Sequence, residues 1–341
     1  MKIVPLIILC FFSVLLLAVP LTKGGKKAPK DKIGGVSLVS PSKRIDDAWV
    51  NPIQQMNADW VAILPYGFSS PGSPKVHFNL DRQWWGERFE GMREIIRHAK
   101  NKGLKVMLKP MVWVPGSWPG GVDMETEAEW KAWEKEYSRF IFAILKVAAE
   151  EEVDMFCVGT EYKLAVRKRA IFWRALIDGV RSQFDGAVTY AANWDDFQEV
   201  TFWNKLDYIG IDAYFPLSPA KTARVSELKR QWFTPIKNLE LLHKVYKKPI
   251  LFTEFGYRST DACTWKQWEI QDIPYHELVN LNGQTNAYQA FFESFWSKDW
   301  FAGVFLWQWY ANDETSGGLV NSDYTPQNKP AEAVIKEWFG K

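Results

Sequence analysis

Eight short runs of β-branched or aromatic residues recur along the chain and alternate with longer amphipathic stretches. The runs cover residues 35–39, 60–65, 104–114, 153–159, 187–193, 208–212, 249–254 and 303–309. Helical periodicity marks residues 87–102, 125–151, 171–183, 226–246, 286–298 and 330–339. This order is typical of repeated strand–helix units, in which helices cover a parallel sheet.

Eight such units within 341 residues predict an α/β protein with a closed (β/α)8 TIM barrel. A doubly wound sheet normally carries a glycine-rich phosphate turn after its first strand, and neither G-x-G-x-x-G nor G-x-x-x-x-G-K-[ST] occurs. We therefore expect residues 33–341 to form a single barrel domain with long loops at residues 66–84, 115–124 and 258–285. Active sites of such barrels lie at the carboxyl ends of the strands.

Residues 1–22 have a basic start followed by an apolar run, which predicts an exported protein. Two interpretations remain open, a cleaved signal peptide and an uncleaved membrane anchor, because the run is close to the length that spans a bilayer. Residues 23–32 are rich in Lys and Gly and predict a flexible basic tether. We expect a protein that is secreted, periplasmic or tethered to the outer face of a membrane.

Composition excludes several function classes. The formal net charge is only +2 and the basic residues are scattered, so we expect no nucleic-acid partner. The three cysteines and four histidines show no metal-ligand spacing, and two cysteines beyond the leader are too few for a disulfide framework. We expect no metal, no cofactor and a monomer.

Two of the predicted strands end in a glutamate, Glu161 after the fourth and Glu254 at the end of the seventh. Strand alternation places Glu254 on the same side as Ile250 and Phe252. Acetal hydrolysis needs such a pair, one carboxyl protonated to assist the leaving group and one ionised to attack or to activate water. The residues alone do not decide between a retaining and an inverting separation of the two carboxyl groups. A purely structural role, in which each glutamate caps a helix or pairs with a cation, also stays open.

Aromatic and polar residues at the same strand ends suit a carbohydrate. The chain has 19 tryptophans, and their rings can stack on the apolar faces of sugars. We expect sugar contacts from the tryptophans at or just beyond strand ends, which are Trp113, Trp118, Trp194, Trp307 and Trp309.

Lys109, Asn193 and Asp195 offer donors and acceptors for sugar hydroxyls at the predicted barrel mouth. For Lys109 a second interpretation stays open, that of an ion-pair partner that holds a glutamate. The basic cluster at residues 163–169 is predicted to be the solvated face that opens the next helix.

Motifs at the strand ends resemble glycoside hydrolase family 113, a clan A family known chiefly for β-mannanases. The matching segments, in chain order, are Leu108-Lys109-Pro110, Gly159-Thr160-Glu161, Tyr190-Ala191-Ala192-Asn193-Trp194-Asp195, Ile211-Asp212-Ala213-Tyr214, Thr253-Glu254-Phe255-Gly256-Tyr257 and Phe305-Leu306-Trp307-Gln308-Trp309. The resemblance extends from Gly35 to Trp338.

This resemblance implies retention of anomeric configuration, with Glu161 as acid/base and Glu254 as nucleophile. It also implies that Tyr214 hydrogen-bonds Glu254, although a plain core or rim tyrosine is the alternative. Trp307 resembles the platform beneath the sugar next to the cleaved bond. Thr160 departs from the clan, most of which has an asparagine there that contacts the sugar 2-hydroxyl.

Our first hypothesis is a β-1,4-mannanase-like hydrolase that acts on mannan-type polysaccharides or oligosaccharides. Another clan A β-glycosidase, acting on gluco- or galacto-configured chains, is the alternative among enzymes, because an axial and an equatorial hydroxyl differ by only one or two hydrogen bonds. A non-catalytic carbohydrate-binding barrel and a cell-surface scaffold are the alternatives from other classes.

Overall fold

The computed structural model describes residues 32–272 and 279–341 of the chain. The predicted signal peptide or anchor and residues 23–31 of the predicted tether therefore lie outside the described residues, as do residues 273–278 of the third long loop. Within the described part no helix is long and apolar enough to cross a membrane.

The strands of the described residues are β1 (Ile33–Leu38), β2 (Trp60–Ile63), β3 (Tyr66–Phe68), β4 (Lys105–Leu108), β5 (Met111–Trp113), β6 (Met155–Thr160), β7 (Ala187–Asn193), β8 (Ile209–Asp212), β9 (Ile250–Phe255) and β10 (Phe301–Trp309). Eight of them form a closed parallel barrel in the order β1-β10-β9-β8-β7-β6-β4-β2. The predicted (β/α)8 barrel is confirmed.

The α-helices of the described residues are α1 (Val50–Gln55), α2 (Phe89–Asn101), α3 (Glu127–Glu150), α4 (Lys163–Lys168), α5 (Ala170–Arg181), α6 (Val225–Gln231), α7 (Phe233–Tyr246), α8 (Leu281–Phe295) and α9 (Pro330–Phe339). The periodic segments predicted from the sequence correspond to α2, α3, α5, α6 with α7, α8 and α9. The short α1 was not predicted, because six residues carry too little periodicity to mark a helix. The basic cluster at residues 163–169, predicted to open the next helix, forms the separate short helix α4, whose C-cap is Arg169, just before α5 begins.

The predicted strand 104–114 is in fact two strands. Pro110 stands between β4 and β5, and a proline has no N–H to donate to a barrel neighbour. After it the chain leaves the barrel, and β5 pairs with β3 in a separate two-stranded sheet, in which Phe68 lies opposite Trp113. This sheet stands at the barrel mouth, beyond the ends of β2 and β4.

The predicted helix 226–246 is interrupted at Trp232, which ends α6 and precedes α7. Its indole is fully buried and meets the rings of Phe215 and Phe295 edge to face at 5.6 and 5.0 Å. Pro235 lies in the first turn of α7, where a missing N–H costs nothing. Pro235 cannot donate to the carbonyl of Gln231 four residues earlier, so the break has a local cause, and the ring of Trp232 packs into the core at that point.

Apolar side chains fill the barrel in two layers. A small inner layer plugs the barrel axis and includes Trp60, Met107, Met155, Leu251 and Phe305. The larger outer layer lies between the strands and the surrounding helices. Gly35 belongs to this architecture, because a β-carbon there would come within 2.5 Å of the Phe305 ring.

Candidate active site

The carboxyl ends of the strands surround a cavity of about 620 Å³, the glutamate cavity. Eight of the residues singled out from the sequence line it, namely Trp118, Glu161, Asn193, Trp194, Asp195, Tyr214, Glu254 and Trp307. Gln267, Trp268 and Tyr324 line it as well. The two strand-end glutamates, far apart in sequence, thus share one cavity.

Glu254 reaches this cavity because β9 is irregular near its end. Ile250 and Phe252 face outward into the layer between strands and helices. The pairing of β9 with β8 skips a residue between Phe252 and Glu254, so Thr253 and Glu254 both turn toward the barrel interior. The expectation that Glu254 shares a side with Ile250 and Phe252 is wrong, since a bulge reverses the alternation.

Beneath the cavity, Lys109 lies between two carboxylates. Its ammonium donates to both oxygens of Asp212, at 3.2 and 3.1 Å, and to Oε1 of Glu254. Thr253 donates its hydroxyl to Oδ1 of Asp212 at 2.8 Å. Lys109 and Asp212 are fully buried and Glu254 is 6% exposed. Lys109 is therefore an ion-pair partner that holds Glu254 and Asp212, which was the second of its two interpretations. Because it is fully buried, it does not contact a ligand directly.

The charges in this cluster depend on one another. Burial opposes the charge on Lys109, but Asp212 and Glu254 outweigh it and raise the pKa of the ammonium above its ordinary value. Burial also raises the pKa of Asp212 to about 7, with Glu254 adding to the rise and Lys109 opposing it. A buried charge is tolerated only when it is paired, and this ammonium is paired twice.

Tyr214, two residues beyond the end of β8, completes the surroundings of Glu254. Its hydroxyl donates to Oε2 of Glu254 at 2.9 Å, so both carboxylate oxygens are held, one by Lys109 and one by Tyr214. Burial, and then the neighbouring negative charge, raises the pKa of the Tyr214 phenol well above its ordinary value. The phenol thus stays a hydrogen-bond donor at any physiological pH.

Glu161 lies directly after β6 in the left-handed backbone region, with φ of 58°. Its N–H donates to the carbonyl of Ala191 on β7 at 2.8 Å, and its carbonyl accepts from the N–H of Lys163 at the same distance. Non-glycine residues in this region are uncommon and cluster at functional sites. The turn directs the Glu161 side chain to the glutamate cavity.

The environment of Glu161 favours a protonated carboxyl. Burial raises the pKa of Glu161 well above its ordinary value, and the negative charges of Asp212 and Glu254 raise it further, against the opposing charge of Lys109. On one wall of the cavity burial therefore favours the neutral form of Glu161, and on another an ammonium and a phenol donate hydrogen bonds to Glu254. Two carboxyl groups whose environments separate their protonation states are the arrangement of an acid–base pair.

The sequence profile of Glycoside Hydrolase Family 113 matches residues 45–329. The chain belongs to this family. The structure of a family 113 β-mannanase, AaManA from Alicyclobacillus acidocaldarius in complex with ManMIm, aligns with a TM-score of 0.78 at 27% identity, covering 91% of this chain and 97% of that one. A family 113 β-1,4-mannanase in another complex aligns equally well, at 27% identity and a TM-score of 0.78, covering 91% and 99%.

A β-glucuronidase from Faecalibacterium prausnitzii aligns with a TM-score of 0.61 at 14% identity, covering 91% of this chain and 49% of that one, and shows the barrel fold alone. Comparison with curated proteins finds no match. As a member of family 113 the protein is a mannanase-like glycoside hydrolase, which confirms the resemblance seen at the strand ends.

In this family 113 hydrolase the loop after β7 forms the wall next to Glu161. Asn193 accepts the N–H of Trp194 at 2.8 Å, and Asp195 pairs with Lys163 at 2.5 Å. The ring of Trp194 stacks on Trp268, with centroids 5.6 Å apart and planes 22° apart.

Three further residues that the sequence placed at the predicted barrel mouth lie away from the glutamate cavity. Thr160, which stands where most of clan A has an asparagine, is buried and donates its hydroxyl to the carbonyl of Pro110 at 3.3 Å. Trp309 is fully buried, so the expected sugar contact of this ring is wrong. Trp113 lies on β5 and lines a neighbouring cavity.

Asp212 and Trp268 are site residues to which the sequence analysis assigned no function. Asp212, like the two glutamates, is a carboxylate at the end of an apolar strand. This pattern would have been enough to predict it as a site residue. Trp268 lies in a short 3-10 helix of the long loop after β9, where no periodicity indicates which way a side chain points. Within the described residues no group of three or more His, Cys, Asp or Glu side chains is arranged to hold a metal ion.

Proposed function

We propose that this family 113 protein hydrolyses β-1,4-mannosidic linkages in mannan-type polysaccharides or oligosaccharides by double displacement, with Glu161 as acid/base and Glu254 as nucleophile. The observation that carries the proposal is the opposite environment of the two carboxyls at one cavity. Glu254 is held by Lys109 and Tyr214, and Glu161 has a strongly raised pKa.

In the first step Glu254 attacks the anomeric carbon while the bond from that carbon to the glycosidic oxygen breaks. Glu161 gives its proton to the departing oxygen, so the leaving sugar chain is released as a neutral alcohol. In the second step Glu161, now a carboxylate, takes a proton from water as the water attacks the same carbon and displaces Glu254. Atoms and charges balance over the two steps, and no cofactor enters.

Lys109 and Tyr214 are positioning residues in this scheme. Both oxygens of Glu254 already accept a hydrogen bond, so the carboxylate is held in one orientation before the sugar binds. Trp307 lines the same cavity and offers a ring face beneath the sugar attacked by Glu254. Mannan is favoured over other β-glycans because the two aligned family 113 structures at 27% identity are a β-mannanase and a β-1,4-mannanase.

The test is reducing-sugar release from a panel of mannan, glucomannan, xylan, β-glucan and galactan. Wild-type protein is expected to act on mannan and glucomannan, while Glu161→Gln and Glu254→Gln each lose most of that activity. Glu240→Gln, on the outer helix α7, is the matched control and is expected to keep wild-type rates. Full turnover by either active-site variant, or a preference for xylan, β-glucan or galactan, would contradict the proposal.

Double displacement has its own test, because it retains the anomeric configuration and a single displacement inverts it. Proton NMR of the first sugar released from mannopentaose should show the β-anomer before mutarotation. If the α-anomer is the initial product, the reaction is a single displacement. Glu254 would then be a general base that activates water, not the nucleophile.

A further inference from the structure

The turn that carries Glu161 is held by two neighbouring residues of β7. The N–H of Glu161 donates to the carbonyl of Ala191 at 2.8 Å, and the next N–H, that of Tyr162, donates to the hydroxyl of Tyr190 at 2.8 Å. Glu161 has a φ of 58°, and a non-glycine residue keeps such a conformation only where its surroundings hold it. Two consecutive N–H groups of the turn are thus fixed by one strand, the second of them through a side chain.

The ring of Tyr190 is firmly packed. It is 1% exposed and meets the rings of Trp173 and Phe202 edge to face, with centroids 5.4 and 5.5 Å apart. Trp173 also contacts the ring of Tyr162 at 5.7 Å, so the residue that donates and the residue that accepts share a buried neighbour. Packing therefore sets the position of the Tyr190 hydroxyl, and the hydroxyl sets the position of the Tyr162 peptide.

The Tyr190 hydroxyl keeps its proton. Burial, and then the negative charge of Asp196, raises the pKa of the Tyr190 phenol well above its ordinary value. The hydroxyl therefore stays neutral at any physiological pH, and it accepts the N–H of Tyr162 whether Glu161 is protonated or ionised.

The direction of the Glu161 side chain depends on this hydrogen bond. Without the hydroxyl, the N–H of Tyr162 would be buried and unpaired, and the turn could recover a partner only by rotating its peptides. Such a rotation moves the Glu161 carboxyl. A general acid works only within hydrogen-bond reach of the oxygen that it protonates, and a displacement of about 1 Å can cost about 100-fold in rate.

We propose that Tyr190 is a positioning residue for the acid/base, because its hydroxyl holds the peptide after Glu161 and so keeps the carboxyl aimed at the glycosidic oxygen. The inference rests on the proposed function, in which Glu161 protonates the leaving sugar, and extends it to the group that directs this proton. Tyr190 acts through Glu161 and not on the sugar, since its ring lies in the buried layer between the strands and the helices.

The experiment compares wild type and Tyr190→Phe on aryl β-mannotriosides whose leaving phenols range from dinitrophenol to unsubstituted phenol. The substitution removes one oxygen and keeps the ring, so the barrel is expected to fold. The kcat/KM should fall roughly tenfold for the phenyl substrate and for mannohexaose, because both need a correctly placed proton on Glu161. The dinitrophenyl substrate needs no proton, so its kcat/KM should stay within about twofold of wild type.

The ratio of kcat/KM for the dinitrophenyl substrate to that for the phenyl substrate separates positioning from folding. A variant that only loses stability has fewer active molecules, which lowers both values equally and leaves the ratio unchanged. Tyr137→Phe is the matched control, because it removes a buried hydroxyl from the same ring cluster. That hydroxyl donates to the carbonyl of Val158 on β6, before the turn, at 2.9 Å, so this variant should keep the wild-type ratio.

The ratios of the two variants decide the role of Tyr190. A roughly tenfold rise of the ratio confined to Tyr190→Phe supports it. An unchanged ratio in Tyr190→Phe, or the same rise in Tyr137→Phe, overturns the role of Tyr190 and leaves the proposed function intact. A wild type that cleaves neither mannohexaose nor any aryl β-mannotrioside overturns the proposed function, and the role of Tyr190 with it.

Discussion

Lys109 illustrates how one residue organises a site without facing its ligand. Its ammonium is fully buried and joins Asp212, Glu254 and, through Asp212, Thr253. Asp212 and Glu254 lie on adjacent strands, and without a cation between them their mutual repulsion would favour protonation of one. The lysine therefore offsets the repulsion between two buried carboxyl groups on adjacent strands.

Replacement of Lys109 by methionine tests this role, because it keeps the volume and removes the charge. We expect kcat/KM on mannan to fall about 100-fold or more, and the acidic limb of its pH profile to move to higher pH, since ionised carboxylates lose their counter-charge. Steady-state kinetics from pH 4 to 9 measures both effects. Lys244→Met, which removes only the exposed partner of Glu240 on α7, is the control, and an unmoved acidic limb in Lys109→Met would refute the role.

Glu161 determines the alkaline limb of the same profile. Its raised pKa means that the proton needed by the leaving group is retained to higher pH than an ordinary carboxyl would allow, and activity falls as pH rises through that pKa. With a dinitrophenyl β-mannoside, whose leaving group needs no proton, Glu161→Ala should show a flat alkaline limb and regain turnover when azide is added. If the alkaline limb persists in Glu161→Ala, the titration of a group other than Glu161 causes that limb.

At the scale of elements, α3 shows how local sequence sets a boundary. Thr126 accepts the N–H of Glu129, and Glu129 accepts the N–H of Thr126, at 3.2 and 2.9 Å. This capping box begins a helix of 24 residues whose apolar face packs against the barrel. Periodicity predicted this boundary to within two residues, and the capping box that fixes it lies between residues close to one another in sequence.

Thr126→Ala should lower the free energy of unfolding by about 1 kcal/mol, because one N–H of the first turn loses its acceptor. Chemical denaturation followed by circular dichroism gives this value. Thr126→Ser keeps the hydroxyl and should retain most of the stability. Equal stability of the alanine and wild-type proteins would mean that the first turn is held by its tertiary contacts.

Other element boundaries depended on distant contacts. The split of residues 104–114 into β4 and β5 could be anticipated at Pro110, but the pairing of β5 with β3 could not, because it joins segments that are separated by α2. The break before α7 could likewise be anticipated at Pro235, which has no N–H for the carbonyl of Gln231, but the rings of Phe215 and Phe295 that bury Trp232 could not. Periodicity reports how a segment is buried, not which segment buries it.

At the scale of the whole molecule, the glutamate cavity adjoins a second cavity lined by Trp84 and Trp113, and Trp307 lines both. A ligand that binds only the folded state stabilises it, and a ligand at 100 times its Kd contributes about 2.7 kcal/mol. A chain that occupies both cavities should therefore stabilise the barrel more than one that occupies only one of them.

Thermal unfolding of the inactive Glu254→Gln variant measures this difference. Saturating mannohexaose should raise Tm by several degrees, and mannobiose by clearly less. Cellohexaose, which differs in the configuration of the 2-hydroxyl, should have a small effect. An equal rise in Tm with cellohexaose would show that the cleft does not select mannose.

The sequence by itself determined the fold class, the strand-end placement of Glu161 and Glu254, and the aromatic character of the barrel mouth, because burial patterns and strand ends are encoded by neighbouring residues. Only the tertiary structure decided that a bulge turns Glu254 inward, that Lys109 lies between two carboxylates and that Trp268 stacks on Trp194. These depend on register between strands and on contacts between segments far apart in the chain, and periodicity within a single segment carries no information about either.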